Sequence, residues 1–333
     1  HIDGGYPVFS AAGSFRGPRL VTPSARWYLG GAALVAALVF PAWVVYAQEP
    51  FWLDVMIRLM ILAIAASSLN LILGYSGMVS LGHAVFLGIG AYAAGIPAYY
   101  ELYNGWLQLA VALGASGAFA LLTGLVCLRT HGAYFIMITL AFAQMMYFIL
   151  VSIEEYGGDD GLVIYSRSEM GFGVDLNSNV QLYFLVLVCL LAVLGFMHRL
   201  IRSDFGQVIR SIKVNEVRMQ ALGFATFHYR LVCYVISGMI CGLAGWLLGN
   251  FTGFISPEMM DWTRSGELIA MVLLGGAATV IGPLVGAGIF IGVETLLPEF
   301  TIYWHLYLGI LLIIVAKFGR GGLLGWWMRW RQG

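Results

Sequence analysis

Long apolar runs alternate with short polar breaks along almost the whole chain. A run of about 20 mostly apolar residues is long enough to cross the hydrocarbon layer of a bilayer as a helix. The pattern predicts ten spans, at roughly 27–47, 54–74, 80–99, 106–128, 133–153, 180–199, 230–251, 265–279, 283–297 and 303–318. The eighth and ninth are short, and read as full spans, as half-helices or as one broken hairpin. The fold expected is an all-α polytopic membrane protein. It would have a cytoplasmic tail at 1–26, a transmembrane domain at 27–318 and a basic cytoplasmic tail at 319–333.

The polar breaks carry the topology, because cytoplasmic loops of membrane proteins hold an excess of Lys and Arg. With the N-terminus inside and strict alternation, the inner side receives Arg16, Arg19, Arg26, Arg129, six basic residues between Arg199 and Arg230, Lys317, Arg320, Arg329 and Arg331. Only Arg58, Arg167 and Arg264 fall on or near the outer side, which takes most of the carboxylates. An odd number of spans would put one basic cluster outside, so both termini are expected in the cytoplasm.

Two breaks are long. The inner loop at 199–230 carries Arg199, Arg202, Arg210, Lys213, Arg218 and Arg230, and reads as a surface on which a cytoplasmic partner acts. The outer loop at 154–180 is about 27 residues, where connections within a domain have a median of about 4–6. It is either a solvated variable loop or a docking surface for an external partner. The candidate docking residues are Glu154, Glu155, Asp159 and Asp160, with Glu258 and Asp261 from the outer loop at 252–264.

Composition agrees with a membrane protein: 60% hydrophobic, 10% charged, mean hydropathy +0.86. Soluble chains average about 45–50% apolar and about 25% charged. The 43 glycines suit close helix packing in lipid. Two glycine-rich hairpins, GYSGMVSLGHAVFLGIGAYAAG at 74–95 and LLGGAATVIGPLVGAGIFIG at 273–292, align Gly82 with Gly282 and Gly88 with Gly288 at an offset of 200. They fit either broken helices around a pathway or tight helix packing. Polar residues within spans divide the same way, between lining a pathway and bonding helix to helix. The pathway candidates are Asn70, Ser76, Ser80, His83, Thr139, Gln144, Asn250 and Glu267. Asp54 and Arg58, four apart on one helix, are expected to pair. Glu267 is expected to favour a helix N-terminus and Glu294 to reach interfacial water.

Several chemistries find no support. A P-loop needs a lysine after a glycine to reach phosphates, and the two lysines, Lys213 and Lys317, follow Ile212 and Ala316. There is no H-E-x-x-H, G-x-S-x-G or C-x-x-C, so no hydrolytic, redox or metal site is expected. Cys127, Cys189, Cys233 and Cys241 read as small core residues. No nucleic-acid partner is expected.

The segment NLILGYSGMVSLGHAVFLGIGAYAAG at 70–95 resembles branched-chain amino acid ABC importer permeases of the M type. So do LRTHGAYFIMITLAFAQMMYF at 128–148, GGDDGL at 157–162, RSDFGQVIRSIKVNEVRMQALGFATFHYRL at 202–231, SGMICGLAGWL at 237–247, SPEMMDWTRSGELIAMVLLGG at 256–276 and IGPLVGAGIF at 281–290. The likeness runs in order over roughly 55–320; residues 1–50 show none. It implies a permease fold in a bacterial inner membrane, a homologous second permease subunit, two ATP-binding cassette subunits and an extracytoplasmic solute-binding protein. ATP and magnesium would be bound by the partners and no cofactor by this chain. It also implies an ATPase-coupling segment near Lys213–Phe224, with Lys213, Asn215, Glu216, Arg218, Ala221, Leu222 and Gly223 at matching positions. The cargo stays open among branched-chain amino acids, urea, short amides and aromatic or other organic acids. An ion-coupled secondary transporter is the rival outside this family.

Overall fold

The computed structural model describes residues 49–171 and 176–300, with parts of 35–46 and of 306–313. Contacts divide the chain into two units, 1–50 and 51–333. In the first, the described residues between 35 and 44 are helical. The tails at 1–26 and 319–333 lie outside the described residues, as do most of the spans expected at 27–47 and 303–318.

The second unit follows from Phe51; its first helix, α1 (Pro50–Asn70), opens on a proline, which a first helical turn tolerates because it needs no N–H there. It continues into a π-helical turn, Leu71–Ser76, and stops at Gly77, whose φ of +77° forms a left-handed cap. The chain is non-helical until α2 (Ala84–Tyr99). Then come α3 (Gly105–Cys127), capped by the Asn104 side chain, and α4 (Ala133–Val151). The helix α5 (Asn179–Arg202) ends on Arg199 and Arg202, where cations suit the helix dipole. Two short helices, α6 (Asp204–Val214) and α7 (Glu216–Ala221), precede the 27-residue α8 (Thr226–Thr252). A hairpin of α9 (Trp262–Gly275) and α10 (Gly282–Phe300) follows.

Among the described residues, five helices are long and apolar enough to cross a membrane: α1 with its π turn, α3, α4, α5 and α8. The expected spans at 80–99 and 265–279 are shorter. At 1.5 Å per residue, the 16 residues of α2 and 14 of α9 reach only about 24 and 21 Å. Both adjoin non-helical backbone, at 77–83 and 276–281. The hairpin joins the 14-residue α9 to the 19-residue α10 through a non-helical tip.

The core is built on α2 and α8. Small residues let them touch backbone to backbone: a Cβ at Gly90 would collide with the Gly242 carbonyl, and one at Gly245 with that of Leu87. Trp246 and Phe86 are buried beside this crossing. The loops sort to two ends. At one, β1 (Leu162–Val163) pairs antiparallel with β2 (Phe254–Ile255), and Asn104 bridges to Glu169. At the other, Lys213 meets Gly74 and Arg230 meets Glu216. The first end holds most of the acidic loop residues, the second the basic 199–230 loop.

Candidate functional site

At the basic end, Ser203 starts α6 by accepting a hydrogen bond from the Gly206 N–H. Asn215, in extended backbone at φ −157°, ends α6 and caps α7, its side chain accepting from the Arg218 N–H at 2.9 Å. Ile209, Ile212 and Met219 turn inward. Val214, Val217 and Leu222 turn out, 84%, 75% and 66% exposed. Clustered exposed apolar side chains among charges mark an interaction surface. Arg218, Ala221 and Gly223 share that exposed side. Two expected coupling residues fasten the loop to the body instead. Lys213 Nζ donates to the Gly74 carbonyl at 2.6 Å. The Glu216 carboxylate pairs with Arg230 at 2.9 Å and lies 3.5 Å from His131 Nε2.

At the entry to α9 lies an open cleft of about 540 Å³, lined by Tyr147, Glu258, Asp261, Thr263, Arg264, Glu267 and Glu294. Glu258 belongs to a 3₁₀ turn, Pro257–Met260, that buries Met260 over Gly88. Asp261 accepts hydrogen bonds from the Thr263 hydroxyl at 2.6 Å and the Gln144 amide at 3.1 Å. Burial alone would raise its pKa; these bonds and two from backbone N–H groups outweigh it and hold the carboxyl below the ordinary 3.8.

Three pairing expectations change. Arg58 does not pair with Asp54. It reaches Glu294 on α10 at 2.8 Å, and Asp54 accepts from the Asn179 amide at 3.1 Å. An exposed i,i+4 pair contributes only about 0.3–0.5 kcal/mol, whereas a half-buried carboxylate without a cation costs more. Glu294 is therefore held in an ion pair rather than turned to water. Glu267 stands beyond the first turn of α9, where the pull of the helix dipole has faded, and pairs with Arg264 at 2.9 Å.

The structure gathers some predicted residues and separates others. Glu258 and Asp261, expected at a docking surface, line the cleft with Glu267, and Gln144 joins them through Asp261. Glu154, Glu155, Asp159 and Asp160 stay exposed in two 3₁₀ turns at the acidic end. The remaining pathway candidates are buried in the body. Asn70 accepts from the Ala278 N–H at 2.9 Å and donates to the Thr279 carbonyl at 2.8 Å. Asn250 accepts from the Ser168 N–H and hydroxyl and donates to Trp246. His83 Nε2 lies 2.8 Å from the Ser68 hydroxyl. Thr139 donates to the Ile136 carbonyl, Ser80 accepts from Gly82, and the Ser76 hydroxyl is buried without a partner. Sequence reasoning missed Tyr147, Thr263 and Arg264 as cleft residues and Arg230 and His131 as loop fasteners. Only the charges of Arg264 and Arg230 signalled anything.

The family described as branched-chain amino acid transport system / permease component matches residues 51–316. The high-affinity branched-chain amino acid transport system permease protein LivM of Salmonella typhimurium is 29% identical, with 96% of this chain and 81% of the relative covered. The protein of the same name from Escherichia coli is 28% identical over 93% and 79%. The fructose import permease protein FrcC of Rhizobium meliloti is 28% identical over 39% of each chain. No solved structure matches. With the match running through both the fastened α6–α7 loop and the α9–α10 hairpin, the chain belongs to the branched-chain amino acid transport permease family, as a transport subunit and not an enzyme.

Proposed function

We propose that this chain is the membrane permease subunit of an ABC importer that passes branched-chain amino acids, or a related small polar organic solute, into a bacterium. It sits in the cytoplasmic membrane as a ten-span protein with both termini inside. It pairs with a homologous permease subunit, two ATP-binding cassette subunits bind ATP and magnesium below it, and a solute-binding protein delivers cargo to the acidic end. The observation that carries this reading is the α6–α7 loop. It is fastened to the body by Lys213 and Glu216 and presents Val214, Val217 and Leu222 outward. An apolar ridge on a basic loop, in a family of transport permeases, is a surface for an energy-supplying partner to grip.

Val217→Asp tests it better than reversing Glu216, which would also unfasten the loop. In proteoliposomes holding the complete complex, Val217→Asp is expected to lower solute-stimulated ATP hydrolysis and uptake by about tenfold or more, as loss of a buried apolar anchor does. Unchanged stimulation with the variant present in the membrane overturns the reading. A ligand screen on the cognate binding protein decides the cargo.

A further inference from the structure

We infer that Lys213 and Asn70 are positioning residues that carry movement of the α6–α7 loop to the tip of the α9–α10 hairpin, and through it to the cleft. The inference rests on the proposed role of that loop. Its first link is Lys213 in the last turn of α6. The lysine stem lies over Gly77, where an added Cβ would stand 3.0 Å from Lys213 Cγ, and its ammonium holds the Gly74 carbonyl. Carbonyls at the end of a helix lack intrahelical partners, and a lysine supplies one.

The second link is the π turn. Gly74 lies four residues beyond Asn70 and against the hairpin tip: a Cβ there would collide with Asn70 Oδ1 and approach the Ala278 nitrogen to 2.5 Å. Asn70 grips the tip with both ends of its amide, at Ala278 and Thr279. Ala278 has φ +63°, a left-handed conformation that a residue with a Cβ rarely adopts. Asn70 thus helps hold the tip in an unfavourable shape, together with the Thr279 hydroxyl, which donates to the Gly276 carbonyl at 2.8 Å. π turns in helices recur at functional sites, and this one ends the helix directly against the tip.

The last link is the hairpin itself. Its first helix carries Arg264 and Glu267 and its second carries Glu294, all lining the cleft. The other fastener, Glu216 to Arg230, leads into α8 and so into the close-packed α2–α8 core. Of the two ties, Lys213 is the one that reaches the π turn, which lies against the hairpin tip.

The test uses the complete complex in proteoliposomes and reads solute molecules imported per ATP hydrolysed. Lys213 is exposed, so Lys213→Met leaves the core intact, and this ratio should fall about tenfold. Lys213→Arg, which keeps a donor, should recover most of it. Asn70→Ala should fall likewise, and the double variant should be no worse than the weaker single one, since both break one chain. A wild-type ratio in Lys213→Met, no recovery with arginine, or additive losses overturns the inference. If Val217→Asp lowers stimulated hydrolysis and uptake while Lys213→Met keeps the wild-type ratio, the inference alone fails; if Val217→Asp leaves both rates unchanged, the reading of the loop fails.

Discussion

Asp261 shows how a single side chain ties the cleft to pH. Its carboxylate is held ionised by the Thr263 and Gln144 bonds against the pull of burial. A carboxyl with a depressed folded-state pKa contributes stability that is present above its unfolded value and is lost as pH falls through the folded value. Thermal stability of the detergent-solubilised protein should therefore drop below about pH 4, and Asp261→Asn should flatten that drop. Equal acid sensitivity in both proteins would show that Asp261 contributes none of it. Arg58 offers a second residue-level test. Its partner Glu294 keeps one carboxylate oxygen buried without any bond, so the ion pair supplies what compensation there is. Arg58→Ala should lower the melting temperature, and adding Glu294→Gln should restore much of it. Neither partnership was legible along the chain. The i,i+4 spacing of Asp54 and Arg58 is visible in sequence, whereas Glu294 lies 236 residues from Arg58.

Among the elements, the long outer loop is less free than its length suggested. Its middle is pinned by Ser168, which bonds Asn250 on α8 and contacts Gln108 on α3. The β1–β2 pair holds the same loop to the segment after α8. Asn250→Ala leaves the buried Ser168 N–H without a partner, while its hydroxyl keeps Gln108, at a cost of about 1–3 kcal/mol. Amide exchange across Leu162–Met170 should speed up in that variant, with α8 itself still protected; unchanged exchange would rule out Asn250 as the anchor. The span at 230–251 was plain from hydropathy, but not the role of a polar residue at its end. Hydropathy also overextended α2. The overextension is residues 80–83, expected in the span at 80–99, because apolar content does not distinguish helical from irregular buried backbone. The breaks come from a left-handed cap at Gly77 and from contacts with distant elements, such as Gly82 pressed against the Thr139 carbonyl.

For the whole molecule, the alternation of basic and acidic loops and the folded contacts converge from independent starting points. Charge counting sorted loops by side without knowing which ones touch. In the structure, residues 100–105, 154–171 and 252–258 bond to one another at one end, while Gly74, His131 and the 204–230 segment bond at the other. No bond described joins a loop of one set to a loop of the other. Sidedness can be read directly, because Cys127, Cys233 and Cys241 are buried and Cys189 is half-buried, giving a low labelling background. Asp160 is exposed in the acidic set and Gln207 in the basic set. In cells with a permeable outer layer and an intact cytoplasmic membrane, an impermeant maleimide should label Asp160→Cys at once. It should reach Gln207→Cys only after that membrane is opened. The opposite order would invert the proposed orientation and place the α6–α7 ridge where no ATPase could grip it. Labelling of both sites in closed cells would mean that the two loop sets share one side, contrary to the spanning lengths of α1, α5 and α8.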